Sequence, residues 1–202
     1  MTDFSILTVC TGNICRSPLA EQLLRAGTAQ WSDVFVASAG TGALVDHLMT
    51  DQAQLLAREF GATDSHSHVA RALTVDQLRG ADLVIALSRE HRRSVVELLP
   101  RGVRHTFTLR ELARLLTNVP DEDLSAIAEL DTTDVAGRLS ALVDVAASRR
   151  GMVEAPEAPE DDDVIDPYRQ HDDVYRQSAD QLVPAVTTVL SQFARALTVV
   201  RP

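Results

Sequence analysis

A chain of 202 residues with 45% hydrophobic and 4% aromatic content is long enough to close one well-packed α/β domain with room for an insertion. Its 19 basic against 29 acidic residues leave a net charge of −10, which excludes a general nucleic-acid binder. No apolar run approaches the roughly 18 residues of a membrane span, no charged-then-apolar leader is present, and two cysteines make no disulfide framework, so a reducing, cytoplasmic setting is expected.

In chain order, Ile6-Leu7-Thr8-Val9 reads as a buried strand. It feeds the stretch Val9-Cys10-Thr11-Gly12-Asn13-Ile14-Cys15-Arg16-Ser17-Pro18. Pro18 to about Ala29 then reads as a helix, with Ser17 at the N-cap and Pro18 at the first helical position. A strand, a tight loop and a helix start in this order make an anion site, because loop N–H groups and the helix dipole converge on it. Gly12 lets the loop curl, and Asn13 tolerates a left-handed conformation. Arg16 can grip two phosphate oxygens at once, and the same positive setting favours the thiolate form of Cys10, the form that attacks. Taken one at a time, Cys10 and Cys15 are small buried apolar residues and Arg16 is surface charge; taken together they read as a nucleophile in a phosphate cradle.

Cys, five residues, Arg, Ser after an N-terminal strand resembles the low-molecular-weight protein tyrosine phosphatase family, and the run CTGNICRSP is that family's phosphate loop. The resemblance implies that Cys10 is the nucleophile forming a phosphocysteine, that Arg16 binds the phosphoryl group with Thr11, Gly12, Asn13, Ile14, Cys15 and Ser17, and that Ser17 also assists the thiolate. It further implies a general acid in an Asp-Pro-Tyr near the C-terminus, and Asp166-Pro167-Tyr168 is there. Asp166 is then the acid and later the base, while Tyr168 walls an aromatic substrate. A phosphorylated protein is the implied substrate, with no cofactor and no metal. Ile14 points toward phosphotyrosine, because family members that prefer phosphoarginine tend to carry Thr there.

Val34-Phe35-Val36-Ala37 reads as a second strand running into a Gly-rich turn, Ser38 to Gly42. By resemblance, Ser38 and His68 join Asn13 and Ser17 in a network that holds the loop in shape. The following loop, Ala43 to His47, lacks the aromatic that many family members place there. Leu48 to Phe60 reads as a helix with Leu48, Leu55, Leu56 and Phe60 on its apolar face and Gly61 as C-cap; Thr74 and Gln77 have capping-box spacing for a short helix to Arg79. Ala81 to Leu87 is a strand apolar on both faces, Ser88 caps a helix through Leu99, and Val103 to Thr108 is a weaker strand. Four strands alternating with helices predict a four-stranded parallel sheet with helices on both faces and a site beyond the strands' carboxyl ends.

Residues 109–163 are then a helical insertion and acidic linker within a single phosphatase domain spanning 1–202. The insertion holds expected helices over Leu109–Leu116, Glu122–Leu130 and Asp134–Arg150, and serves as extra core or as a partner-docking surface over 109–150. Gly151 to Asp163, rich in proline and acid, reads as a mobile tether whose negative charge draws basic peptides. Asp173 to about Val200 reads as a long helix with Val174, Leu182, Val186, Leu190, Phe193 and Leu197 inward and a kink at Pro184. Other readings of the loop are a phosphate-binding module of low activity, an arsenate reductase, a phosphoarginine phosphatase, or a redox-regulated enzyme in which Cys15 traps Cys10.

Overall fold

The computed structural model describes residues 3–200. Four parallel strands, β1 (Phe4–Cys10), β2 (Val34–Gly40), β3 (Leu83–Ala86) and β4 (Thr106–Thr108), lie in the order β2-β1-β3-β4. β1 is therefore central, and Cys10 is its last residue. Parallel strands need crossovers, and these are the helices α1 (Arg16–Thr28), α2 (Asp51–Glu59), α3 (Val75–Arg79) and α4 (Arg89–Leu98). The helices α5 (Leu109–Leu116), α6 (Ser125–Ala128), α7 (Val135–Ser148) and α8 (Asp172–Thr198) follow β4.

Side-chain alternation splits β1 between two cores. Leu7 and Val9 face a small cluster with Val84, Leu78, Val95 and Leu99, covered by α3 and α4. Phe4, Ile6 and Cys10 face a much larger cluster containing Leu24 of α1, Leu112 of α5, Leu139 and Leu142 of α7, and Leu182 and Phe193 of α8. The insertion spends its apolar residues on this second core, and among the described residues no large hydrophobic side chain of α5 to α7 is exposed. Its polar ties are equally direct. Arg150 stacks 4.0 Å over Phe107 and bonds Glu111 at 2.8 Å, and Arg149 bonds the Leu115 carbonyl at 2.8 Å.

Where capping chemistry is local, element starts fall as expected: Thr74, Ser88 and Thr108 all accept from the N–H three residues on. Several expectations are corrected. α1 starts at Arg16, with Cys15 at the N-cap position making no side-chain capping bond, and the Ser17 hydroxyl is turned to the sulfur of Cys10 rather than capping the helix. β2 runs through Ser38 to Gly40, where the backbone passes so close to Thr11 that a Cβ on Gly40 would stand 2.3 Å from the Thr11 carbonyl oxygen. α2 begins only after Thr50 caps it; Leu48 pairs instead with Val69 in an isolated bridge, and Leu48 and Leu55 are exposed. The expected strand over 103–108 keeps its last three residues, since Pro100–His105 winds as a 3-10 turn. The expected helix over 122–130 breaks into a 3-10 turn and the four-residue α6.

The largest correction is the acidic segment, which is a strap held in place. Arg114 pairs with Asp162 at 2.9 Å and donates to the Glu154 carbonyl at 3.0 Å, Arg110 donates to the Asp163 carbonyl at 2.9 Å, and Arg89 grips the Asp163 carboxylate. Composition promised a solvated tether; arginines elsewhere in the chain supply what the strap's own sequence lacks.

Candidate active site

The loop between β1 and α1 is an array of unspent donors. Among the described residues, none of the backbone N–H groups from Thr11 to Arg16 has a protein acceptor, and buried backbone donors without partners are rare unless a ligand takes them. They surround a cavity of about 160 Å3 floored by Cys10, Gly12, Ile14 and Arg16 and rimmed by Gly42, Leu44, Asp166 and Tyr168. Ile14 and Arg16 are each only 6% exposed, so the arginine's charge is held at the cavity rather than in solvent.

Asn13 shapes the loop. It adopts φ +55, the left-handed region an asparagine tolerates, and is fully buried. Its amide nitrogen donates to Ser17 Oγ at 2.9 Å and Ser38 Oγ at 2.8 Å, while its amide oxygen accepts the Arg71 backbone N–H at 2.9 Å. His68 Nε2 reaches the Asn13 carbonyl at 2.8 Å. The network ends at a residue that sequence reasoning missed: Glu21, on α1 one turn past Ser17, accepts from Ser38 Oγ at 2.5 Å and faces His68 Nδ1 at 3.5 Å. Burial opposes the Glu21 carboxylate, but the hydrogen bonds from His68 and Ser38 outweigh it and hold its pKa below the ordinary carboxylate value. With Asn13 donating to Ser17 and Ser38 donating to Glu21, the Ser17 hydroxyl hydrogen is free to point at Cys10 Sγ, 3.0 Å away.

The two cysteines are not equivalent. Cys15 sits 3.5 Å from Tyr175 Oη and 3.6 Å from Thr50 Oγ1, and burial pushes its thiol above the ordinary value even though those hydrogen bonds oppose the rise. Only Cys10 stands at the carboxyl end of the central strand under the ring of free N–H groups.

Asp166 arrives from the strap. Val164 N–H donates to the Leu87 carbonyl just past β3 at 2.9 Å, Ile165 N–H to Gln181 of α8 at 2.8 Å, and Arg16 Nη1 to the Val164 carbonyl at 3.0 Å. The Asp166 carboxylate then meets Arg16 Nη2 at 2.8 Å and accepts the Tyr168 N–H at 3.1 Å. Tyr168 is partly exposed at the rim, and Arg169, at φ +60, folds its guanidinium 5.1 Å over the phenol ring. The loop that lacks an aromatic contributes Leu44 as the opposite apolar wall, tied by its N–H to the Gly12 carbonyl at 3.0 Å. A thiol, an anion cradle, a carboxyl group and an apolar wall thus share one cavity, a set suited to phosphoryl transfer to the thiol and onward to water.

The model of the low molecular weight phosphotyrosine protein phosphatase family matches residues 5–124, more than half of the chain. The chain belongs to that family. A probable low molecular weight protein-tyrosine-phosphatase, AmsI of Erwinia amylovora, is 40% identical over 96 residues, covering 48% of this chain and 64% of the relative. A protein-arginine-phosphatase of Bacillus subtilis is 35% identical over 107 residues, covering 52% of this chain and 70% of the relative. The crystal structure of the Erwinia amylovora tyrosine phosphatase AmsI superposes with a TM-score of 0.63 over 98% of this chain and 95% of that one, at 24% identity, which shows a shared fold. The sequence alignments thus span roughly two thirds of these relatives, and the family model stops at residue 124, before the residues that carry Asp166.

A larger cleft of about 280 Å3 between α2 and α8 is lined by Leu55, Glu59, Tyr175 and Arg176, among others. Its one ion pair, Glu59 with Arg176, is already bidentate at 2.6 and 2.8 Å, and no nucleophile lines it.

Proposed function

We propose that this chain hydrolyses phosphotyrosine in proteins through a phosphocysteine on Cys10, without a metal. The observation that carries the reading is the juxtaposition of Cys10 Sγ with the Ser17 hydroxyl at 3.0 Å, beneath unpartnered loop N–H groups and beside an Arg16–Asp166 pair at 2.8 Å. A bound phosphate dianion takes Arg16 from Asp166, which leaves the carboxyl group to face the leaving oxygen. The Cys10 thiolate attacks phosphorus in line, loop N–H groups and Arg16 take up charge on the equatorial oxygens, and Asp166 gives its proton to the departing phenolate. Asp166 then accepts a proton from the water that cleaves the sulfur–phosphorus bond, and Cys10 and inorganic phosphate are released.

The lining of the cavity supports an aryl phosphate, with Leu44 and Tyr168 available to flank the ring and Ile14 in the floor where phosphoarginine-preferring members tend to carry Thr. The unpaired state of both cysteines is in keeping with a reducing compartment such as the cytoplasm. Among the described residues no helix is long and apolar enough to cross a membrane.

Initial rates on phosphotyrosine, phosphoserine and phosphoarginine peptides in the presence of chelator test the reading. Phosphotyrosine turnover that survives chelation, together with a Cys10→Ser variant that binds vanadate but turns over less than a few per cent, is the expected result. Preference for phosphoarginine moves the protein to the other branch of its relatives, and turnover by Cys10→Ser removes the phosphocysteine.

A further inference from the structure

The first turn of α4 lies at the site and reaches two distant partners at once. His91 is buried, 3% exposed, with both ring nitrogens engaged: Nδ1 is 2.8 Å from Ser88 Oγ and Nε2 is 2.8 Å from Thr11 Oγ1, in the phosphate loop. Two residues earlier, Arg89 gives its backbone N–H to Asp163 at 2.6 Å and its guanidinium to the same carboxylate at 3.0 and 3.1 Å. Immediately before them, the Leu87 carbonyl accepts the Val164 N–H at 2.9 Å. The loop that bears Cys10 and the strap that bears Asp166 are therefore both anchored on Leu87 to His91.

We propose that this turn is the positioning element that sets the spacing of nucleophile and acid: His91 holds the phosphate loop through Thr11, and Arg89 holds Asp166 through Asp163. The inference rests on the phosphatase reading above and assigns residues to it that neither the loop motif nor the Asp-Pro-Tyr motif contains. Asn13 braces the loop from the α1 and β2 side, and His91 supplies the brace from the α4 side. Burial first, then the Arg16 guanidinium, lowers the His91 pKa to about 4, while Asp166 and Asp163 pull it back up. A neutral imidazole has one donor and one acceptor, and hydroxyls at both ends satisfy either tautomer. Arg89 and Asp163 are partly exposed, so their pairing contributes little to stability. Its effect is geometric, since Asp163 also receives the first free N–H of α4 and is thereby fixed in direction. Displacement of a reacting group by about 1 Å is worth roughly a hundredfold in rate.

The two arms have different kinetic signatures. Arg89→Met should slow formation of the phosphocysteine from phosphotyrosine about tenfold, yet change the rate with a strongly activated aryl phosphate by less than about twofold, because only the poor leaving group needs a well-placed acid. It should also speed hydrogen exchange at the Val164 amide and leave the affinity for inorganic phosphate unchanged, with Arg89→Lys recovering part of each loss. His91→Leu should slow both substrates alike by about tenfold or more and weaken inorganic phosphate binding, while His91→Gln, whose amide nitrogen can stand in for Nε2, recovers much of both. Phosphate affinity and Val164 exchange are read without turnover, so they test the turn even in a protein that hydrolyses no phosphotyrosine. Arg89→Met slowing both substrates equally with Val164 still protected, or His91→Leu binding phosphate as wild type does, would overturn the proposal.

Discussion

Asp166 Oδ2 lies 2.8 Å from Arg16 Nη2, so the candidate acid occupies the guanidinium that a phosphate needs. The carboxylate is more than half exposed and the arginine is buried, which makes the carboxylate the mobile partner of the pair. Removing its charge has two consequences of opposite sign. Asp166→Asn should bind inorganic phosphate several-fold more tightly, because a competitor for Arg16 is gone, and should slow phosphocysteine formation from phosphotyrosine by about a hundredfold to ten-thousandfold. An activated aryl phosphate, which leaves almost unaided, should lose only a few-fold. Single-turnover phenol release measures that step apart from the later hydrolysis. Equal slowing of both substrates with unchanged phosphate affinity would assign Asp166 a structural part only.

Stability should fall in acid first through the buried histidines His91 and His105, whose pKa values burial lowers, and then through Glu21. His91 has a folded-state pKa of about 4 against an ordinary 6.5, so as pH falls the unfolded chain takes the proton first. Its contribution is complete above 6.5 and is lost on the way down to about 4, in total about 3 kcal/mol at roughly 1.36 kcal/mol per unit. Glu21 is also depressed, so its contribution is present above the ordinary carboxylate value and lost only below it. Urea unfolding across this range should show the upper loss in wild type and less of it in His91→Gln, the remainder belonging to His105, whose pKa burial also lowers. A wild-type curve flat from about pH 7 to about pH 4.5 would contradict the buried, neutral His91.

Arg138 gives the clearest separation of stability from chemistry. It is fully buried in α7, and its guanidinium donates to the carbonyls of Leu130 at 2.8 Å and Ala196 at 2.9 Å, and to that of Val199 at the end of α8. A cation there answers the unpaired carbonyls of a helix C-terminus. Arg138→Met fills much of the volume but strands those acceptors, at a cost of roughly 3 kcal/mol in chemical denaturation. Rates should be unchanged, since two of the guanidinium's partners, Ala196 and Val199, lie at the far end of α8 from Asp166 and the third, Leu130, lies before α7. A change in kcat would mean that the insertion bears on the site.

The loop from Cys10 to Ser17 was legible in the sequence because its chemistry is local: glycine, asparagine and arginine at fixed offsets between a strand and a helix determine an anion cradle wherever the chain places it. The caps at Thr74 and Ser88 were legible for the same reason. Even here a local rule misplaced one residue, since Ser17 has the composition of an N-cap and spends its hydroxyl on Cys10. Glu21 and His91 carried no comparable signal. A carboxylate one turn past Ser17 and a histidine three residues past Ser88 look like ordinary helix surface until β2 brings Ser38 to one and the loop brings Thr11 to the other.

Sequence by itself thus determined the local make-up of the candidate site, the Cys10 to Ser17 loop with its anion cradle and the Asp-Pro-Tyr run, because a tight loop between strand and helix is set by near neighbours. The tertiary structure alone decided how the acid is delivered. The strap's composition describes a solvated coil, and its fixed course depends on Arg89, Arg110 and Arg114 being presented by α4 and α5. The same holds for Glu21 at the end of the Asn13 network and for the His91 brace, each a contact between segments far apart in sequence, whereas Ser38 and His68 were expected from the family resemblance. Pairing of distant polar groups depends on which faces the packed sheet and helices bring together, and that packing follows from the whole apolar pattern rather than from any residue in the pair.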